Sequence, residues 1–222
     1  MADPCLTVAC VWVRANVPYP MEYVTNLRRM VKRHLDRPHR FVCLTDRRWS
    51  PSKYVETIRI PWPRHLFGWW SKIELFKPGR FSGRVLYLDL DTLVVGPLGD
   101  VVDYPSPFAL LSHSGTFTGA YRGKTRRLVP RFNSSVMVLD AGVNDALFTK
   151  WHRGIADDLH GDQDWIGEQM PQADTLPGHW FPRLSELDGP PSPDAKVVLC
   201  KVPKNHIAAR RYAWVDAAWR AA

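Results

Sequence analysis

The stretch Val85-Leu86-Tyr87-Leu88-Asp89-Leu90-Asp91-Thr92-Leu93-Val94-Val95-Gly96-Pro97-Leu98 constrains this chain more than any other. An apolar run leads into two aspartates one residue apart, and a second apolar run closes on Gly96-Pro97. A short apolar run with β-branched and aromatic members, bounded by turn signals, reads as a buried strand. In extended backbone, residues i and i+2 project to the same side. Asp89 and Asp91 are therefore expected to aim both carboxylates at one point while Leu90 turns away. Two buried like charges that close are costly without a counter-charge. A divalent cation is the simplest one, and oxygen-only ligation suits Mn²⁺ or Mg²⁺, which keep other positions for water and substrate phosphates. An acidic strand end can also merely cap the next turn; the strand leading in and the Gly-Pro turn leading out favour the metal.

The chain has 222 residues, enough for one large α/β domain, and no internal repeat or linker divides it, so a single domain over 1–222 is expected. The formal net charge of +8 favours an anionic partner such as nucleotide phosphates or an anionic membrane surface. Cys5, Cys10, Cys43 and Cys200 show no C-x-x-C pairing and read as reduced, mostly buried thiols of a cytoplasmic protein. The acidic start is unlike a signal peptide, and no run approaches the ~20 apolar residues that span a bilayer, so at most peripheral membrane contact is expected.

Residues 6–13 form a continuous apolar run, a central strand. Residues 21–35 read as a helix, with Val24, Leu27, Val31 and Leu35 at helical spacing, and 40–46 as a second strand. Arg28, Arg29, Lys32 and Arg33 lie off the apolar stripe and read as a solvated face; no base-reading motif accompanies them, so no nucleic-acid partner is expected. Strand, helix and strand make a βαβ unit, and open α/β sheets bind ligands at the carboxyl ends of their strands. Arg14, Asp46 and the Asp89/Asp91 pair should share one rim. Residues 69–76 read as a short helix with Trp69, Ile73 and Phe76 on one face and Lys72 beside them. Residues 112–127, polar and basic, read as a mobile loop over the site. Residues 145–159 read as one helix, and 207–222 as a terminal helix with Tyr212, Val215 and Trp219 on its packed side.

The phrase around Asp89 and Asp91 resembles the Asp-x-Asp motif of GT-A fold glycosyltransferases and is most similar to glycosyltransferase family 8 and related small bacterial enzymes. Phe132-Asn133-Ser134-Ser135 resembles the family's second landmark, with Ser135 where glycine is common, and Gly161-Asp162-Gln163-Asp164 resembles the third. The resemblance runs from about Val8 to Trp219 and implies an α/β GT-A domain whose mixed, mainly parallel sheet is flanked by helices. It implies a metal held by Asp89 and Asp91 and a donor site drawing on Asp46, Lys72, Leu90, Asn133, Lys201 and Lys204. It places Asp162 and Gln163 on the acceptor side of the reacting sugar. The family's third metal ligand is a His followed by Gly; here Cys200 and Lys201 stand at those positions, and His206 is the other candidate ligand. Thiolates prefer softer metals than Mn²⁺.

The implied reaction is metal-dependent transfer of a sugar from a nucleotide diphosphate donor, UDP-linked in the family, to a hydroxyl of a carbohydrate, lipid or protein, with retention of configuration. Two other classes stay open. Asp89-Leu90-Asp91-Thr92 also resembles the nucleophile motif of haloacid-dehalogenase-type phosphatases, although that motif sits near the chain start with a Gly after the second Asp. A degenerate protein that binds the nucleotide sugar without turnover is the non-enzyme alternative, motivated by Cys200.

Overall fold

The computed structural model describes residues 6–14, 19–48, 50–60, 68–113, 120–121, 124–125, 131–200 and 212–220. The chain opens with β1 (Leu6–Trp12), α1 (Glu22–His34), β2 (Arg40–Thr45) and β3 (Glu56–Arg59). A 3₁₀ helix, Gly68–Phe76, leads to β4 (Arg84–Leu88), β5 (Thr92–Val94), α2 (Gly99–Val102) and β6 (Phe108–Ser112). Next come a hairpin of β7 (Ala120–Tyr121) and β8 (Lys124–Thr125), then β9 (Phe132–Asp140), α3 (Ala146–Thr149), α4 (Arg153–Asp158) and α5 (Asp162–Gln169). Last are β10 (Asp174–Thr175), β11 (Val197–Leu199) and α6 (Ala213–Arg220).

Seven strands form the central sheet in the order β10-β6-β9-β4-β1-β2-β3. β9 runs antiparallel to both β4 and β6, and every other pairing in this sheet is parallel, the mixed and mainly parallel sheet that the sequence implied. Alternation along the strands sends side chains to two apolar layers. Val8, Cys10, Leu86 and Leu88 pack against α1, β5 and α6, whereas Ala9, Val42, Val85 and Tyr87 pack against the 3₁₀ helix, α3, α4 and α5. Burying one Val, Leu or Phe side chain contributes roughly 1.5–3 kcal/mol before entropy is counted. α1 buries Tyr23, Val24, Leu27, Met30 and Val31, and α6 closes over it through Tyr23 and Trp219, whose rings lie 4.8 Å apart. Val215 and Trp219 are buried as expected, but Tyr212 is exposed.

The topology gathers the site. β1, β2 and β4 are parallel, so their carboxyl ends share a rim, and antiparallel β9 brings its amino end, with Asn133 and Ser134, to that same rim. The β6–β9 register shifts between Leu110 and Leu111, and bulges of this kind re-aim nearby side chains. After the aspartates the backbone turns away from the central sheet: β5 pairs antiparallel with β11, and Val95 N–H and Gly96 N–H both donate to the Lys196 carbonyl. A Cβ on Gly96 would stand 2.2 Å from the Ala195 carbonyl oxygen, so this approach requires glycine.

Three sequence expectations give way. Residues 145–159 are not one helix: they break between α3 and α4 at His152, whose backbone is extended (φ −144°, ψ 164°). Asp89, Leu90 and Asp91 are not extended strand: β4 ends at Leu88, and Leu90 and Asp91 form a turn in which the Thr92 hydroxyl donates to the Asp89 carbonyl at 2.7 Å. The 69–76 helix is 3₁₀ rather than α, and its period of three keeps Ile73 and Phe76 on the buried side but puts Trp70 there in place of Trp69. Trp70, Ile73 and Phe76, three residues apart, are 0%, 1% and 3% exposed, while Trp69 is 38% exposed.

Candidate active site

Asp89 begins where β4 stops. Its N–H still donates to the Ser135 carbonyl at 2.8 Å, the last rung of the β4–β9 pairing, which fixes its backbone to the amino end of β9. Two residues earlier on the same strand face, Tyr87 donates its hydroxyl to Asp89 Oδ1 at 2.6 Å. Lys72 reaches in from the 3₁₀ helix, with Nζ 2.9 Å from Asp89 Oδ1 and 3.1 Å from Oδ2. Nζ also lies 5.5 Å from the centre of the Tyr87 ring.

The same ammonium group ties Asp89 to Asp162. Lys72 Nζ donates to Ser134 Oγ at 3.0 Å, Ser134 Oγ donates to Asp162 Oδ2 at 2.5 Å, and Nζ itself is 3.8 Å from that oxygen. Asp162 is the first residue of α5, in the first turn where a carboxylate ordinarily serves the helix terminus. That task falls instead to Asp164, whose Oδ2 accepts the Gly161 N–H at 3.1 Å. Asp162 is thereby left to face Lys72 and Ser134. Burial raises the Asp162 carboxyl above its usual range, against the lowering pull of Lys72 and Ser134. Burial acts to lower Lys72 as well, but the charges of Asp162, Asp89 and Asp91 outweigh it and hold the ammonium above its ordinary value. Lys72 is therefore a fixed cation, 7% exposed, between carboxylates contributed by β4 and α5.

Asp91 differs from Asp89. It is 8% exposed, and Tyr19 donates its hydroxyl to Oδ2 at 3.0 Å. Burial and the neighbouring charge of Asp89 push its carboxyl up to about 7, with Tyr19 and Lys72 opposing. A buried carboxylate repelled by a second one, with oxygen as the donor atom on both, suits a hard divalent cation. Among the described residues, no three His, Cys, Asp or Glu side chains converge to hold a metal ion. Cys200 is 5% exposed and feels the Asp91 charge; burial and that charge raise its thiol to about 12, so it stays protonated. His206, Lys201 and Lys204 lie outside the described residues.

The remaining sequence candidates are spread along the rim. Asp46 accepts the Arg14 N–H on both oxygens at 3.3 Å, with Arg14 Nε at 3.9 Å and Arg47 Nε at 3.7 Å. Arg47 in turn lies over the Trp12 ring at 5.0 Å. Leu90 is buried in the apolar layer, Asn133 Oδ1 accepts the Ser135 N–H at 2.9 Å, and Gln163 is half-buried on α5. Sequence reasoning missed Tyr19, Tyr87 and the hydroxyl of Ser134. Tyr87 had a signal, because it alternates onto the Asp89 side of the strand. Ser134 enters the sequence reading only as part of the Phe132-Asn133-Ser134-Ser135 resemblance, and Tyr19, placed by the chain between two prolines, carries no signal.

Ser134 provides a direct check on this network. Ser134→Ala removes the donor to the buried Asp162 Oδ2 and an acceptor for Lys72. An unsatisfied buried partner of this kind costs about 1–3 kcal/mol. Urea unfolding should show the midpoint falling with m unchanged, and Ser134→Thr should recover most of the loss. An alanine variant with the wild-type midpoint would mean the hydroxyl does not join Lys72 to Asp162.

No protein-family model matches the chain, and no curated protein sequence matches it. Among solved structures, the galactosyltransferase LgtC in complex with donor and acceptor sugar analogs is similar over 97% of this chain and 97% of its own, with TM-score 0.62 and 13% identity. An active-site mutant of LgtC gives TM-score 0.63 at 13% identity, with 97% of each chain covered. The glycosyltransferase GlyE of Streptococcus pneumoniae TIGR4 gives 0.56 at 14% identity, over 88% of this chain and 55% of that one. The chain has the GT-A fold of these glycosyltransferases.

Proposed function

We propose that the protein is a glycosyltransferase that moves a sugar from a nucleotide diphosphate donor, UDP-linked, onto a hydroxyl acceptor with retention of configuration. The observation that carries this reading is the Asp89–Lys72–Asp162 connection at the carboxyl rim of a GT-A sheet. Ligands of open α/β sheets bind at that rim. Asp89 and Asp91 would hold Mn²⁺ or Mg²⁺, which supplies Lewis acidity and charge neutralisation to a leaving diphosphate. Tyr87 and Tyr19 hold one carboxylate each. Lys72 contributes positive charge that is already fixed in place, and such preorganisation is often the largest catalytic contribution. Asp162, anchored by Ser134 and Lys72, faces the reacting sugar with Gln163 one residue on. Lys201 and Lys204 are assigned to the diphosphate on the sequence resemblance. The GT-A fold stands against the phosphatase alternative. Among the described residues no helix is long and apolar enough to cross a membrane, and the buried free thiols of Cys10, Cys43 and Cys200 accord with a reducing, cytoplasmic setting.

The test is release of UDP from a panel of UDP-sugars, with and without Mn²⁺. Metal-dependent release from at least one sugar is expected. Metal-dependent UDP binding without turnover of any sugar would favour the degenerate binding protein, which the protonated Cys200 makes the specific alternative.

A second expected result concerns pH. The folded Asp91 carboxyl titrates near 7, against about 3.9 when unfolded. Without metal the folded state binds the proton more tightly, so this contribution to stability is full below about pH 4 and is lost as pH rises through about 7. Divalent cation competes with the proton, so its stabilising effect grows over the same window. Melting curves with and without Mn²⁺ at pH 5.5 and 8 should show the larger metal-induced shift at pH 8. Equal shifts would mean Asp91 does not bind the metal.

A further inference from the structure

The 3₁₀ helix leaves Trp69 partly in solvent while the residues that follow it are buried. Gly68, at φ +55°, turns the chain into the helix, after which Trp70 enters the core at 0% exposure and Trp69 stays 38% exposed. With three residues per turn and about 2.0 Å rise, residues three apart lie one above the other. Trp69 therefore stands on the same edge as Lys72, about 6 Å along the axis, close to the width of one pyranose ring. From the other side of the site comes His160, two residues before Asp162. Its ring is stacked with the indole, with centroids 6.0 Å apart and planes 17° from parallel. Between them, a Cβ on Gly161 would stand 3.3 Å from the indole Nε1, so the turn into α5 lies directly against the Trp69 ring.

We propose that Trp69 and His160 form the seat of a carbohydrate acceptor. This rests on the glycosyl-transfer reading above and adds the acceptor's chemical class to it. A sugar ring offers a flat C–H face and an edge of hydroxyls. The exposed part of the Trp69 indole, backed by the near-parallel His160 ring, takes the C–H face, and the neighbouring Lys72–Asp162 pair takes the hydroxyl edge. A cation held by Asp89 and Asp91 would draw the donor's diphosphate to the β4 side, whereas the Trp69–His160 pair lies on the α5 side. The ring seated there is therefore the acceptor's rather than the donor's.

The experiment titrates neutral disaccharides (lactose, maltose and cellobiose) into the protein with Mn²⁺ and UDP present, by calorimetry or saturation-transfer NMR. Wild type, Trp69→Ala and Trp69→Phe are compared, with the UDP-dependent thermal shift followed in each. At least one disaccharide should bind wild type, bind about tenfold more weakly to Trp69→Ala, and bind Trp69→Phe within about threefold. The UDP-dependent shift should persist in both variants. Equal saccharide affinity in wild type and Trp69→Ala would overturn the proposal, as would wild type that binds UDP but none of the disaccharides. Loss of the UDP shift in Trp69→Ala with saccharide binding intact would also overturn it, because the indole would then belong to the donor. A wild type with no metal-dependent UDP shift fails the donor reading instead; saccharide binding indifferent to Trp69 fails this proposal alone.

Discussion

Asp91→Asn is expected to lower metal-dependent release of UDP by on the order of 10²–10³-fold while leaving the protein folded. The variant keeps size and shape, and its amide oxygen can still accept the Tyr19 hydroxyl that Asp91 Oδ2 now accepts at 3.0 Å. What disappears is one of the two negative charges that would hold the cation. The same change relieves the repulsion and burial that push the Asp91 carboxyl up to about 7. Without metal, the Asn variant should therefore melt no lower than wild type at pH 8, and the fall in stability toward high pH should flatten. Loss of activity without loss of apo stability is the signature of a ligand rather than a structural residue. Activity at the wild-type level under saturating Mn²⁺ would remove the metal from Asp91.

The sheet was legible because its strands are written as apolar runs with turn signals at their ends. β1 and β2 lie within a residue of where the sequence put them. The βαβ unit and the rule for ligand sites placed Asp46, Asp89 and Asp91 on one rim before any distances were known. The local geometry was less legible where backbone type depends on tertiary contact. An α-helical period for residues 69–76 placed Ile73 and Phe76 correctly but put Trp69 on the buried face in place of Trp70, because a 3₁₀ turn differs from an α turn by a fraction of a residue and the sequence does not register that. The Asp-x-Asp phrase was misread in its conformation. Extended backbone would have paired the carboxylates by alternation, whereas the turn after Leu88 gives them separate partners, Lys72 and Tyr87 for Asp89 and Tyr19 for Asp91. The capping role of Asp164 likewise could not be told from that of Asp162 in Gly161-Asp162-Gln163-Asp164. Either carboxylate suits a first turn, and only the position of Lys72 and Ser134 selects between them.

Lys72→Met tests the same network from its cationic side and should affect stability as well as activity. The side chain is 7% exposed, and its ammonium contacts Asp89 at 2.9 Å and Asp162 at 3.8 Å. Methionine fills similar volume but leaves carboxylates on β4 and α5 facing each other without a counter-charge. Removing one partner of a buried ion pair costs about 3–5 kcal/mol. For a chain of this size each kcal/mol lowers the melting temperature by about 2–4 °C, so a fall of roughly 6–20 °C is expected. The loss should shrink at low pH, where the Asp162 and Asp91 carboxyls, both raised above their ordinary values, take up protons. It should also shrink on adding Mn²⁺, since a cation between Asp89 and Asp91 restores part of the missing positive charge. Arginine is the informative control: Lys72→Arg keeps the charge but carries it on a larger planar fork that must find room between Asp89, Ser134 and Asp162. Melting curves of the Met and Arg variants across pH, with and without Mn²⁺, separate charge from shape. A Met variant as stable as wild type at pH 8 without metal would mean that the carboxylates of β4 and α5 do not depend on this lysine, and the electrostatic core of the proposed site would have to be drawn elsewhere on the rim.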